Sequence, residues 1–191
     1  MSFVRPGGDL QSGTVAANSP ASVSLIGSDT DIAGPDNTLS EKERKEGWKL
    51  LFDGKTTNGW RTYKNKESDG WLIAGGELSC KLEGVKSRAD LITVDQYGDF
   101  ELLVDWKVSS GANSGIVYRC NEANGSSYES GNEYQLIDDE GYKEKLEDWQ
   151  KSGADYAMHP PSKIAAKPAG QYNTTKIVAK GAHIEHWLNG V

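Results

Sequence analysis

Glu133, Arg119 and His159 are the residues whose types could move a proton or hold a developing negative charge. A carboxylate or imidazole can serve as general base or acid, and a guanidinium can steady an oxyanion. Their surroundings alternate with the period of a strand. In residues 113–120, Asn113, Gly115, Val117 and Arg119 point one way, and Ser114, Ile116, Tyr118 and Cys120 the other. In the next run Glu133 and Gln135 share a face, while Tyr134 and Leu136 fill the core. Residues 100–109 add Asp105 and Lys107. The expectation is one polar surface in mid-sheet, made of Asp105, Lys107, Asn113, Arg119, Glu133 and Gln135. Charged groups avoid such a position unless paired or functional. The plainer alternative is a solvated outer face with Arg119–Glu133 as a surface ion pair.

Other candidates carry less. Asp138-Asp139-Glu140 could offer oxygen ligands to a cation. The run lacks the spacing of a calcium loop and reads as a turn with solvated carboxylates. His159, ahead of Pro160-Pro161, is an acid–base candidate or a loop histidine. His183 and His186 are three apart on a strand, face opposite sides and cannot share one metal. There is no Gly-x-Ser-x-Gly elbow and no phosphate-binding glycine loop. The Glu-x-Asp-x-x-Glu strand of laminarinase-type glucanases is also missing, because Gln135 stands where that pattern wants Asp. The usual carboxylate pair for glycoside cleavage is therefore not evident.

The elements that must position these residues are mostly strands. Residues 48–52, 60–63, 71–73, 77–82, 114–120 and 133–138 read as short strands, and residues 100–109 as a long one. Phe100, Leu102, Val104, Trp106 and Val108 share one face of the long strand. Residues 177–180 and 183–188 form a hairpin around Gly181-Ala182. Ser40-Glu41-Lys42-Glu43 is a capping box with Gly47 as a helix stop, so residues 40–46 are read as one or two helical turns. Tyr142, Leu146 and Trp149, at i, i+4 and i+7, suggest a short amphipathic helix over 142–151. Many short strands with Gly-rich turns indicate an all-β sandwich or jelly roll of two antiparallel sheets.

Composition sets the boundaries. All six tryptophans and all eight tyrosines lie after Gly47. Residues 1–46 hold Phe3 as their one aromatic and are expected to form a disordered or weakly ordered leader. The folded domain is expected over 47–191. Its pattern turns toward a further strand at Asn189-Gly190-Val191, so the natural chain is expected to continue. The net charge of −7 and the lack of a Lys/Arg cluster argue against nucleic acid as a partner. There is no 18-residue apolar stretch for a membrane span and no signal-peptide pattern. Cys80 and Cys120 lack a redox or zinc spacing and read as buried thiols.

In combination, several motifs resemble a known family. They are Leu50-Leu51-Phe52-Asp53-Gly54-Lys55 with Gly59-Trp60, then Asn113-Ser114-Gly115-Ile116 with Tyr118-Arg119, and Glu133-Tyr134-Gln135 with Asp138. Lys167-Pro168-Ala169-Gly170 with Asn173, and Trp187-Leu188-Asn189-Gly190, complete the set. Together they resemble the 3-keto-disaccharide hydrolase domain family, also described as a 3-keto-glucoside 1,2-lyase and 3-keto-2-hydroxy-glucal hydratase family. Tyr172 stands where that family often has Trp. The resemblance implies a concanavalin A-like jelly roll, a bacterial protein of the periplasm or exterior, and a small carbohydrate substrate.

The implied chemistry is elimination. A ketone at carbon 3 acidifies the hydrogen on carbon 2, so a base can remove it and expel the glycosidic oxygen. Water then adds back. On this reading Glu133 or His159 is the base, the other or Asp138 the acid, and Arg119 holds the enolate or ketone oxygen. Asn113, Gln135, Asp105 and Lys107 bind hydroxyls. A divalent metal could take the role of Arg119 in holding the enolate, and the sequence does not decide between them. Two other readings stand beside the enzyme: a lectin-like module that binds sugars without turnover, and a structural sandwich with a protein partner.

Overall fold

The elements follow the alternation of the sequence closely. The computed structural model describes residues 37–191 and, before them, the strands Ser2–Pro6 (β1), Thr14–Asn18 (β2) and Val23–Leu25 (β3). A short helix, Glu41–Lys45 (α1), precedes Lys49–Leu50 (β4), Trp60–Thr62 (β5), Trp71–Ala74 (β6) and Glu77–Cys80 (β7). Leu91–Thr93 (β8), Phe100–Val108 (β9), Asn113–Cys120 (β10) and Asn132–Ile137 (β11) follow. Asn173–Lys180 (β12) and His183–Leu188 (β13) form the last hairpin.

α1 starts with the expected capping box. The Glu43 N–H donates to Ser40 Oγ at 3.2 Å, and the Ser40 N–H donates to the Glu43 carboxylate at 2.6 Å. These bonds satisfy two of the amides that a helix start leaves open. Gly47 ends the helix at φ 87°, a left-handed conformation that glycine adopts without steric cost.

Two antiparallel sheets carry the rest. One runs β13-β12-β9-β3-β7-β6, with β1 and β4 beside it; the other runs β11-β10-β2-β8-β5. Their inner faces share a core. Phe100, Leu102, Val104, Trp106 and Val108 of β9 all enter it, as their alternation requires. Ile116 and Tyr118 of β10, Tyr134 and Leu136 of β11, and Ile177 and Ala179 of β12 meet them there. A polar thread crosses this core. The Trp106 indole N–H donates to Thr175 Oγ1 at 2.8 Å, Thr175 donates to the Tyr134 hydroxyl at 2.8 Å, and Tyr134 donates to the Trp187 carbonyl at 3.3 Å. Each buried polar atom in the thread thus has a partner, which limits its burial cost. This all-β sandwich is consistent with the jelly roll read from the sequence. Cys80 and Cys120 are both buried, as expected.

The leader expectation falls in large part outside the described residues. Of the described leader segments, β1 and β3 pair with β9, and β2 lies between β10 and β8. The helix expected over 142–151 does not form; only Asp148–Gln150 makes a 3-10 turn. Tyr142 and Leu146 are no more than half-buried and Trp149 is 39% exposed, so no apolar stripe is covered to offset helix nucleation. Trp149 packs instead on Tyr156, with ring centres 5.5 Å apart.

Candidate active site

One crossing changes the expected patch. β9 and β10 follow each other in sequence but lie in opposite sheets, because residues 109–112 step across the sandwich. Asp105 and Lys107 therefore face outward on the first sheet, while Glu133 and Gln135 face outward on the second. Lys107 is engaged there: its ammonium lies 2.7 Å from Glu77 Oε1 and 4.6 Å from the Tyr172 ring centre, and the Tyr172 hydroxyl donates to the same Glu77 oxygen. Asp105 is buried on that sheet.

Arg119 departs as well. Its φ is 55°, and the β10–β2 register shifts between Val117 and Cys120. This bulge rotates Arg119 out of the parity of its strand. The guanidinium donates to the Gly181 carbonyl at 2.5 Å and the Gly98 carbonyl at 3.4 Å, and pairs with Asp99 at 3.2 Å. It ties β10 to the β12–β13 turn, and no Arg119–Glu133 pair forms.

What remains together is Glu133, Gln135 and Asn113 around Gly115. The register sets Gly115 opposite Gln135, Val117 opposite Glu133 and Asn113 opposite Ile137, which puts these side chains on one face. The Glu133 carboxylate reaches over Gly115; a Cβ there would lie 1.9 Å from Glu133 Oε1. Among the described residues the Glu133 carboxylate has no hydrogen-bond or ion-pair partner, while the Glu133 backbone carbonyl accepts the Tyr156 N–H at 2.9 Å. Burial, reinforced by the negative charge of Asp90, raises its carboxyl from 4.5 to about 7. Gln135 is 2% exposed, and among the described residues its Oε1 has no partner. Buried amide oxygens seldom stay unsatisfied unless something else completes them.

The other candidates lie apart from this face. Asp138 clamps a turn: its oxygens accept the N–H of Gly111 at 2.8 Å and of Gly141 at 3.0 Å. It is buried, contrary to the solvated turn expected. Its neighbour Asp139 accepts the Ser152 N–H at 2.8 Å, and its Oδ2 is buried without a partner among the described residues. His159 lies in a loop, bonded through its backbone to Asp155, and lines a cavity that Glu133 does not. His183 pairs with Glu185 at 2.8 Å, while His186 is held by Tyr118 and Gly153, so they do take separate roles. Among the described residues no group of three or more His, Cys, Asp and Glu is arranged to hold a metal. No helix among them is long and apolar enough to cross a membrane.

Sequence reasoning missed Asp90 and Gly115. Asp90 precedes β8, a three-residue strand too short to show a period. Gly115 looked like an ordinary strand glycine; the clue was its position across from Gln135 in a sheet, where glycine often marks close approach of another group.

Comparison with known proteins identifies the family of the chain. The family model described as the 3-keto-alpha-glucoside-1,2-lyase-like domain matches residues 47–191. The chain belongs to that family. A 3-keto-disaccharide hydrolase of Bacteroides thetaiotaomicron is 33% identical over 163 residues, covering 75% of this chain and 56% of that protein. The chain thus spans little more than half of that relative. Two crystal structures from Parabacteroides distasonis, both of proteins provisionally classed as glycosyl hydrolases, superpose well. One has a TM-score of 0.74 at 37% identity, covering 82% of this chain and 75% of the other. The second has a TM-score of 0.60 at 28% identity, covering 75% and 68%. The family resemblance read from the motifs is thereby confirmed.

Proposed function

We propose that this chain cleaves 3-keto-glucosides by elimination across carbons 1 and 2 followed by hydration, with Glu133 as the proton-transfer group. The observation that carries the reading is the Glu133 carboxyl at about 7, half-buried and unpaired among described residues. A group titrating near the working pH can both take and return a proton.

In the first step the C2–H bond breaks and its proton passes to Glu133. The electron pair forms the C1=C2 double bond conjugated with the ketone, and the C1–O bond breaks. The departing oxygen takes a proton, which protonated Glu133 can return to it. Water then adds to carbon 1 and a proton to carbon 2, so one water is consumed overall. Gln135 Oε1 and the Asn113 amide are placed to bind hydroxyls beside the carboxylate. This route does without the paired carboxylates of ordinary glycosidases, which agrees with their absence from the motif.

The test is incubation of the chain with 3-keto-trehalose. Release of 3-keto-glucose is expected, with a loss of at least about 100-fold in Glu133→Gln, the scale of one general base. An unchanged rate in that variant would remove Glu133 from the mechanism. Saturable binding without release would favour the lectin-like reading.

A further inference from the structure

We propose, taking elimination at Glu133 as given, that Trp149 and Tyr156 form an aromatic platform that stacks on the leaving-group ring of the substrate, an uncharged pyranose. The edge of β11 places this platform. Residues 153–156 run alongside that strand. The Gln135 N–H donates to the Ala154 carbonyl at 3.1 Å, the Gly153 N–H to the Gln135 carbonyl at 3.0 Å, and the Tyr156 N–H to the Glu133 carbonyl at 2.9 Å. Tyr134 and Asp155 are antiparallel partners, which sets Tyr156 opposite Glu133 and Ala154 opposite Gln135. Opposed residues project to the same side of a sheet. Tyr156 therefore shares the outer face with Glu133, one strand spacing away, ~4.8 Å. β13 meets β11 from the inner side, where Tyr134 donates to the Trp187 carbonyl, so the platform stands apart from that hairpin.

Trp149 extends the wall. Its ring packs edge-on against Tyr156, with centres 5.5 Å apart and planes at 68°. It still keeps 39% of its surface exposed, and Tyr156 is only half-buried. This is a large apolar surface that the core does not use, set beside a polar face. The C–H face of a pyranose is apolar and its hydroxyls point outward around the rim. It can cover an aromatic ring while those hydroxyls stay hydrated. Lys151 and Asp148, on either side of Trp149, pair with each other at 2.7 Å. The cation nearest Trp149 in the chain is thus already matched, which suits a neutral ring better than an anion.

The segment is held in place. Glu147 and Gln150 close a capping box around the turn, with the Glu147 N–H donating to Gln150 Oε1 at 3.0 Å. Ser152 is 1% exposed; its hydroxyl accepts the Ile137 N–H at 3.1 Å and donates to the Ile137 carbonyl at 2.8 Å. Side chains fixed in advance lose little entropy on binding. Position then assigns the ring. The Glu133 carboxylate leans the other way, over Gly115, so the ring that loses its C2 proton lies inward over β10. A second ring, joined through the departing oxygen, extends toward the edge where Tyr156 and Trp149 stand.

The test compares two substrates with the same ketone ring: 3-keto-trehalose, which releases glucose, and methyl 3-keto-α-D-glucopyranoside, which releases methanol. In Trp149→Ala the ratio of kcat/KM between them should fall about tenfold against 3-keto-trehalose, the scale of one stacked ring. Trp149→Leu, which keeps an apolar cover on Tyr156 without a ring, should do the same, and it decides if Trp149→Ala fails to fold. Trp149→Phe should hold the ratio within about threefold of the wild type. An unchanged ratio in Trp149→Ala and Trp149→Leu, or an equal loss on both substrates, would overturn the proposal. If the wild type cleaves neither substrate, the elimination reading is what fails. Titration with trehalose, followed by NMR at the Trp149 indole N–H, then decides the platform: a saturable shift upholds it, and no shift overturns it.

Discussion

Replacing Glu133 with Gln should make the stability of the domain less sensitive to pH. In the folded chain this carboxyl titrates at about 7, against an ordinary value of 4.5. A carboxyl raised on folding favours the folded state at low pH, where it holds its proton. That contribution is complete below pH 4.5 and is lost as the pH rises through 7. The difference is about 2.5 pH units, which at about 1.4 kcal/mol each gives ~3 kcal/mol, with partial exposure bringing it nearer 2. Gln keeps the shape and cannot ionise. Urea unfolding of both forms should therefore agree near pH 4.5, and the variant should gain about 2–3 kcal/mol over the wild type by pH 8. Other titrating groups cancel in the comparison. A stability difference that stays flat from pH 4.5 to 8 would refute the claim that Glu133 is held protonated by its surroundings.

Three further outcomes follow from the same geometry. Gly115→Ala should drive the carboxylate off its floor at a cost of about 1–3 kcal/mol, because the new Cβ would lie 1.9 Å from Glu133 Oε1; cleavage should fall and the acid limb of its pH profile should move down from 7. Thr175→Val should strand the buried Trp106 N–H and cost about 2–3 kcal/mol in urea unfolding, with no change in that profile. Arg119→Ala should lower stability by about 1–2 kcal/mol, since it removes a partly exposed clamp to Asp99 and Gly181, and should leave the cleavage rate essentially unchanged.

Legibility followed the physics of each element. β9 could be read in full because five apolar side chains at spacing two must enter one core, and all five do. The capping box of α1 was equally plain, because both partners of its two hydrogen bonds lie within four residues. Arg119 was misplaced because parity assumes an unbroken ladder, and a non-glycine residue gives no warning that it will take a positive φ. Asp105 and Lys107 were joined to the wrong face because alternation fixes the sides of a strand but does not say which sheet receives it. Glu133 and Gln135 could be found because they need only the local period. The raised carboxyl at Glu133 could not, because it depends on Asp90, 43 residues away in the chain, and on burial.

The central claim is that cleavage proceeds by removal of the C2 proton at Glu133. It is tested most directly by running the reaction in deuterated water and locating the label in the released 3-keto-glucose by mass spectrometry and NMR, against the free ketose incubated alone. Elimination and hydration predict one deuterium at carbon 2 beyond that control, and loss of the product in Glu133→Gln. Release of product that keeps its original hydrogen at carbon 2 would contradict the account.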